Sequence, residues 1–289
     1  MKLINQSFEI IKQPNTEIGL FKHIEKACRI CYKSEDKITD TSYQRFLTMI
    51  RSNKHYSPWE HGTVYMKLNS KTDKADFDHL YRVLNNKPWV RMKYDDDENW
   101  YITTNYRALI ENKLEHIYDK YKCQPTENHA KRVTVKFITS RAIANELVRH
   151  RVFSFCQESQ RFCAYNKDKF NNQVTFIEPL KNIKTGYYNL NHYLDENVTF
   201  EDVPEDHYIL QLMVAESSYF MLLNKGWKPE EAREVLPNST KTEIMMTGFV
   251  DDWKHFFDLR CSNAAHPQMR ELACNLKEEF IKRNYINGN

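Results

Sequence analysis

RHRVFSFCQESQR, residues 149–161, sets three cations side by side, runs through two Phe and two Ser, and returns to Arg. Just upstream, RVTVKFITS (132–140) alternates like a strand ending at Ser140. Ser140 can cap the helix RAIANELVRH, with Ile143, Leu147 and Val148 facing inward. Arg149, His150 and Arg151 therefore fall near that helix's C-terminus, where the dipole favours cations, so a solvated basic cap is one reading. A cap does not account for Phe-Ser-Phe and Ser-Gln-Arg. Arg suits bidentate phosphate recognition and Ser hydroxyls complete such sites, so the loop also suits a planar heterocycle carrying phosphates. Spacing alone leaves both readings open.

Three further clusters repeat the theme. HYSPWEH (55–61) brackets a Ser-Pro-Trp-Glu turn with His55 and His61. AREVLP (232–237) carries Arg233 on a short helix, and WKHFFDLRCSNAAHPQMRE carries His255, Arg260, His266 and Arg270. His and Arg recur at the edges of apolar helices. Around them, 17–32 reads as an amphipathic helix with Leu20, Ile24, Ala27, Cys28 and Cys31 on one stripe. Segment 41–52 reads as another, capped by Thr41, with Tyr43, Phe46, Leu47 and Ile50 inside. Val64, Met66 and Leu68 alternate as a half-buried strand. Segment 70–130 is polar and mixed, and Asp95 to Glu98 reads as a solvated turn; 165–203 reads as loop with short elements. A long helix is expected over 205–224, with Ile209, Leu210, Met213, Val214, Phe220 and Met221 as its apolar face and Gly226 beyond its end. Short helices follow Pro229 and surround Trp253–Leu259, and the last runs from Pro267 to about Arg283. The mix is α+β with helices dominant.

Composition narrows the ligand. Lys+Arg number 42 and Asp+Glu 39, a net charge of +3, so an anionic ligand must be met by a local cluster rather than a basic surface. The chain has only 6 Gly in 289 residues and neither a dinucleotide fingerprint nor a Walker loop, so phosphates would be held mainly by side chains. No run of about 18 apolar residues spans a membrane. MKLINQSFEIIKQ lacks the marks of a signal peptide, and 7 Cys, an odd number, are expected as reduced thiols in a cytosol.

Arg149-His150-Arg151, seven residues and then Ser159 resembles the signature of the flavin-dependent thymidylate synthases. HYSPWEH, AREVLP and HFFDLR…HPQ resemble other elements of that family, in order, over about 25–68, 132–163 and 205–285. The resemblance implies an α+β fold, a helix-rich single catalytic domain around a small, mainly antiparallel sheet, spanning 1–289, in which the stretches 70–130 and 165–203 look like insertions. The resemblance implies reductive methylation of dUMP to dTMP, with 5,10-methylenetetrahydrofolate as carbon donor and NADPH as reductant through bound FAD. It implies a homotetramer with shared active sites, in the cytoplasm of a bacterium or of a virus's host, with no nucleic-acid or membrane partner and no metal. Carried over, His55, Ser57, Arg149, His150, Arg151, His255 and His266 would meet FAD. Gln157, Glu158, Ser159, Arg161, Arg233 and Arg260 would bind dUMP, Arg161 and Arg233 clamping its phosphate. Arg260 would reach the uracil ring, where a guanidinium stabilises enolate-like charge. The chain has no Pro-Cys pair of the kind that supplies the ordinary synthase's thiolate, and Ser159 has no partner base, so no protein nucleophile is implied. Cys156, Gln157 and Phe162 stand where many members have Asn, Glu and Tyr; the first and last lose polar groups, and Gln157 can still bond a ribose or uracil edge.

Rival readings remain. Cys28 and Cys31 suggest zinc or redox chemistry, but both lie on a helix's inner stripe and no second pair has the right spacing, which favours packing. His61 reads as a satisfied core histidine. Arginines interleaved with Phe153, Phe155 and Phe162 would also suit a single-stranded nucleic-acid binder.

Overall fold

In the computed structural model, residues 1–167, 170–193 and 203–288 are described, without the side chains of 192 and 193; residues 168–169 and 194–202 of the expected loop lie outside the described residues. Strands β1 (Lys2–Ile4) and β2 (Ser7–Ile11) lead into helices α1 (Glu17–Tyr32) and α2 (Ser42–Ser52). A 3-10 turn at Ser57–His61 precedes β3 (Thr63–Asn69), α3 (Lys74–Leu84), β4 (Arg91–Tyr94), β5 (Asn99–Asn105), α4 (Tyr106–Glu111) and α5 (Glu115–Tyr121). Then come β6 (Arg132–Ser140), α6 (Arg141–Leu147), β7 (Ser154–Gln157), β8 (Thr175–Ile177), β9 (Gly186–Tyr187) and α7 (Leu190–Tyr193). The chain continues through α8 (Pro204–Asn224), α9 (Pro229–Ala232), β10 (Lys241–Phe249), α10 (Val250–Arg260) and α11 (Pro267–Lys282). The α+β class and the antiparallel bias hold: among the described residues only β1–β8 pairs in parallel.

The spine is a four-stranded antiparallel sheet, β2-β6-β10-β7. Strand β10 pairs along its whole length with β6, Thr134 opposite Thr247, and then with β7, Ser154 opposite Thr247. The sequence reading has no strand there. Eight of the nine residues of β10 are buried, so a strand covered on both faces shows none of the period-two alternation that reveals a half-buried one.

One face of the sheet is covered by α6, α10 and α11, with Trp253 fully buried among Phe153, Phe256, Phe257 and Phe280. Trp253 donates its indole N–H to the carbonyl of Val133 at 3.2 Å, which removes the cost of burying it. Gly248 is needed here because a Cβ would overlap the Phe153 ring. On the other face, Ala27 and Ile30 of α1 meet Cys156 and Met245.

The mixed 70–130 segment is well structured. Strands β4 and β5 join β3 in a second sheet and bury Leu80, Leu84, Ile102 and Leu109 with Trp59. Its acidic run is the β4–β5 turn, where the Asp95 carboxylate accepts from the Asp97 and Asn99 amides.

Three local expectations need correction. Thr41 makes no side-chain cap on α2; Thr39 accepts from the Ser42 amide instead. Val148 is 37% exposed because α6 ends at Leu147. Helix α8 buries Ile209, Leu212, Met213, Ala215 and Tyr219, while Val214 and Met221 face outward. That helix is apolar on most sides, so its sequence does not identify its inner stripe.

Candidate active site

Ser140 ends β6 and caps α6 by accepting from the Ile143 amide at 3.2 Å, as the sequence suggested. Helix α6 thereby delivers Glu146 and the Arg149–Arg151 turn against the end of α10. There Arg260 is held on three sides. Its Nε donates to His150 Nε2 at 2.8 Å, Nη1 to Glu146 Oε2 at 2.8 Å, and Nη2 to the Glu146 carbonyl at 3.2 Å. His150 must be neutral there, because its Nε2 accepts. Burial, then Arg260 and His255, lowers its pKa to about 4. Phe256 and Phe153 fix the ring edge-on, with centroids 4.9 and 6.3 Å away. Glu146, the carboxylate that aims Arg260, stands three residues before Arg149, where some members of the resembled family have Gln, and for that departure it was not counted among the expected site residues.

Arg149 and Arg151 are exposed and form no ion pair among the described residues. Arg151 lines a cavity of about 290 Å³ with Trp89, Arg107 and Phe153. His255 is exposed on α10, near enough to His150 to lower its pKa. His55 and Ser57 are exposed in the turn before β3. His266 stands apart: it caps α11, its Nδ1 accepting from the Gln268 amide at 3.3 Å.

The other expected residues gather at the far end of β7. Gln157 Nε2 donates to Thr242 Oγ1 at 3.3 Å, and buried Glu158 accepts from Lys241 Nζ at 2.8 Å. The Ser159 amide donates to the Cys31 carbonyl at 3.2 Å, and its Oγ accepts from the Arg161 amide at 3.2 Å. Arg161 reaches Glu230 at 3.1 Å, one turn before Arg233. The structure therefore forms two groups, His150–Arg260 and Glu158–Arg233, separated by the four residues of β7, on the order of 13 Å.

Beneath the second group, Glu243 lies among Lys33, Lys136 and Lys241. Burial opposes its charge, yet the lysines hold its pKa well below the usual carboxylate range. This cluster left no trace in the sequence reading because its strand, β10, did not either.

His61 is fully buried, as expected of a core histidine, and its Nδ1 meets Thr247 Oγ1 at 2.7 Å. Thr247 meets Thr134 at 2.8 Å, and Thr134 meets His23 Nε2 at 3.1 Å. Burial lowers both imidazoles to about 3. Cys28 packs in the core, 2% exposed. Cys156 is also buried; its hydrogen bond with Cys31, and then burial, push its thiol well up. Phe153 is 5% exposed and packed against Trp253, and Phe155 is half-buried, so of the three loop aromatics only Phe162 presents an open face.

Residues 89–283, about two-thirds of the chain, match the family model described as thymidylate synthase complementing protein. The chain is similar to a flavin-dependent thymidylate synthase of Pyrococcus furiosus, 27% identical over 187 residues covering 64% of this chain and 69% of the relative. A probable flavin-dependent thymidylate synthase of Paramecium bursaria Chlorella virus 1 is 33% identical over 150 residues, 52% of this chain and 66% of that one. One from Synechocystis is 33% identical over 155 residues, with 52% and 66% covered. Across these and further curated relatives, the matched part spans between about half and 69% of their length. With the match extending through α6, the loop after it, α9 and α10, the chain belongs to the thymidylate synthase complementing protein family.

Proposed function

We propose that this chain is a flavin-dependent thymidylate synthase that methylates dUMP to dTMP, with 5,10-methylenetetrahydrofolate as carbon donor and NADPH as reductant. The observation that carries the reading is Arg260, a guanidinium aimed by a neutral imidazole and a carboxylate beside two arginines that form no ion pair among the described residues. Family membership supports it.

The residues present fit FAD. Arg149 and Arg151 offer two exposed guanidinium groups for a pyrophosphate, a charge match that needs no glycine-rich loop. Bound there, FAD supplies the electron transfer between NADPH and the one-carbon unit. Ser57, His55 and His255 complete the surroundings; His266 joins them only if its ring leaves the α11 cap.

The chain's own chemistry is positioning and field. Arg161 and Arg233 clamp the dUMP phosphate, with Ser159, Gln157 and Glu158 along the nucleotide. Arg260 faces the uracil carbonyls and stabilises enolate-like charge as C5 becomes nucleophilic. Glu146 and His150 hold Arg260 in place before substrate arrives, so little reorganisation accompanies the reaction. Cys156 is buried and its pKa raised, so it offers no thiolate at neutral pH.

The reading includes a homotetramer with shared sites, as the resemblance to the family implies. The reading keeps one domain over 1–289 with insertions at 70–130 and 165–203, and a cytoplasmic enzyme without a nucleic-acid or membrane partner. No helix among the described residues is long and apolar enough to cross a membrane.

The test is an absorbance spectrum of the purified protein, then NADPH oxidation with and without dUMP. Flavin bands and oxidation accelerated by dUMP are expected. A colourless protein that takes up no added FAD and ignores dUMP overturns the reading.

A further inference from the structure

We propose that the cavity at the β2 edge of the central sheet is an anion site, built for the phosphate chain of a small molecule such as a nucleoside triphosphate. The proposal is independent of the dUMP reading, since none of the expected site residues lines this cavity. Strands β2 and β7 are the two edges of the sheet, three strand spacings or roughly 14 Å apart.

The cavity holds about 680 Å³, the size of a small-molecule site, and its walls are already fixed. Just past β2, the Gln13 side chain donates to the Thr63 carbonyl and accepts from the Thr63 amide, both at 2.8 Å. Opposite, His129 Nδ1 accepts from the Thr126 amide at 3.1 Å, and its Nε2 donates to the Met66 carbonyl at 3.1 Å. Residues 125–132, which return the chain from the second sheet to β6, are thereby held as a wall.

The charge on those walls is one-sided. Lys12, Lys131, Arg132 and Arg283 line the cavity against a single carboxylate, Glu127. Lys12, Lys131 and Arg132 form no ion pair among the described residues, and Arg283 reaches only Glu279, at 3.4 Å. Lys131 lies close enough to Lys12 that, after burial, Lys12 lowers its pKa. A cleft of one sign with low-dielectric walls concentrates ions of the other sign.

Arg132 carries the argument furthest. Its Nη1 donates to Thr63 Oγ1 at 3.2 Å and its Nη2 to the Glu60 carbonyl at 3.0 Å, both neutral acceptors. Its Nε is buried without a hydrogen-bond partner. The carboxylates that favour its charge, Glu60 and Asp252, are bonded to Arg107 and Arg91 instead. Burial is the main cause that lowers its pKa to about 10. A desolvated guanidinium without a carboxylate of its own is rare and costly, and an anion in the cavity supplies the missing charge. Tyr65, whose phenol feels the Arg132 charge, makes no side-chain hydrogen bond among the described residues and adds a neutral donor. The competing explanation is that Arg132 only ties the Ser57–His61 turn to β6.

Calorimetric titration of the intact protein with sodium tripolyphosphate, and then with ATP, at about 0.1 M salt separates the two. Both probes are expected to bind. Replacing the two rim cations, Lys12→Gln with Lys131→Gln, is expected to weaken each about 10- to 100-fold, the worth of one or two charge-assisted hydrogen bonds. Arg132→Gln is expected to do the same where a thermal melt shows it folded; the rim variant tests the proposal whether or not it folds. Lys71→Gln with Lys74→Gln removes the same charge from an exposed face and is expected to leave binding within twofold. Arg149→Gln with Arg151→Gln is expected to leave it unchanged as well. ATP binding more tightly than tripolyphosphate, or equally, supports the site and says whether a nucleoside adds to the phosphate chain. The proposal is overturned if neither probe binds below millimolar concentration, or if the rim variant binds within threefold of wild type. It is equally overturned if either control pair loses as much as the rim pair.

Discussion

Acidification from pH 7 to pH 5 is expected to destabilise the protein by about 4 kcal/mol through two buried histidines that take no part in the proposed chemistry. His23 and His61 end a chain of three hydrogen bonds running through Thr134 and Thr247. Three bonds need three protons; two hydroxyls supply two, so one ring nitrogen donates and the other accepts. Protonating the accepting ring sets donor against donor in the middle of the sheet. Burial is the main cause that lowers both to about 3. Unfolded, each titrates near 6.5, so between pH 6.5 and 3 the unfolded chain binds protons that the native chain refuses. Stability is therefore present above the unfolded value and lost as pH falls. Integrating from pH 7 to 5 gives about 2 kcal/mol for each histidine. The lowered carboxylate of Glu243 contributes almost nothing in this window, because its unfolded pKa lies below it. Urea unfolding at fixed protein concentration measures the change. His23→Gln with His61→Asn keeps a hydrogen-bonding atom near each lost ring nitrogen and removes their titration, so the double variant is expected to lose the part of the slope due to these two rings and to keep the part due to His150 and His129, whose pKa values burial also lowers. An unchanged slope in that variant would refute the reasoning.

Other perturbations have definite directions. Gly248→Ala drives a methyl into the Phe153 ring, which also flanks His150; a loss of about 1–3 kcal/mol in chemical unfolding is expected, with reduced turnover. Glu243→Gln leaves Lys33, Lys136 and Lys241 facing one another half-buried, and a loss of about 3–5 kcal/mol is expected by the same assay. Arg260→Lys keeps the charge but cannot hold His150 and Glu146 together; turnover is expected to fall by about 10²-fold or more, while dUMP binding falls far less.

The parts of the fold that present one face to water were legible. Helix α1 has its bounds and inner stripe where the spacing put them, β3 alternates, and Ser140 caps α6. Buried elements were not: β10 lacks alternation because both its faces are covered, and α8 is apolar on most sides. The same holds at the site. Arg149, His150, Arg151 and Arg260 were visible as clustered cations. The pairing of Glu146 with Arg260, 114 residues on, and the Glu243 lysine cluster, on a strand that left no pattern, come into view only in the folded chain.

The most direct measurement is the fate of dUMP itself. Purified protein, FAD, NADPH and methylenetetrahydrofolate are incubated with dUMP, and the nucleotide is analysed by mass. The account predicts dTMP, heavier by one methylene, formed only when all three small molecules are present, and formed about 10²-fold or more slowly with Arg260→Lys. Unchanged dUMP from a protein that has bound FAD would contradict it.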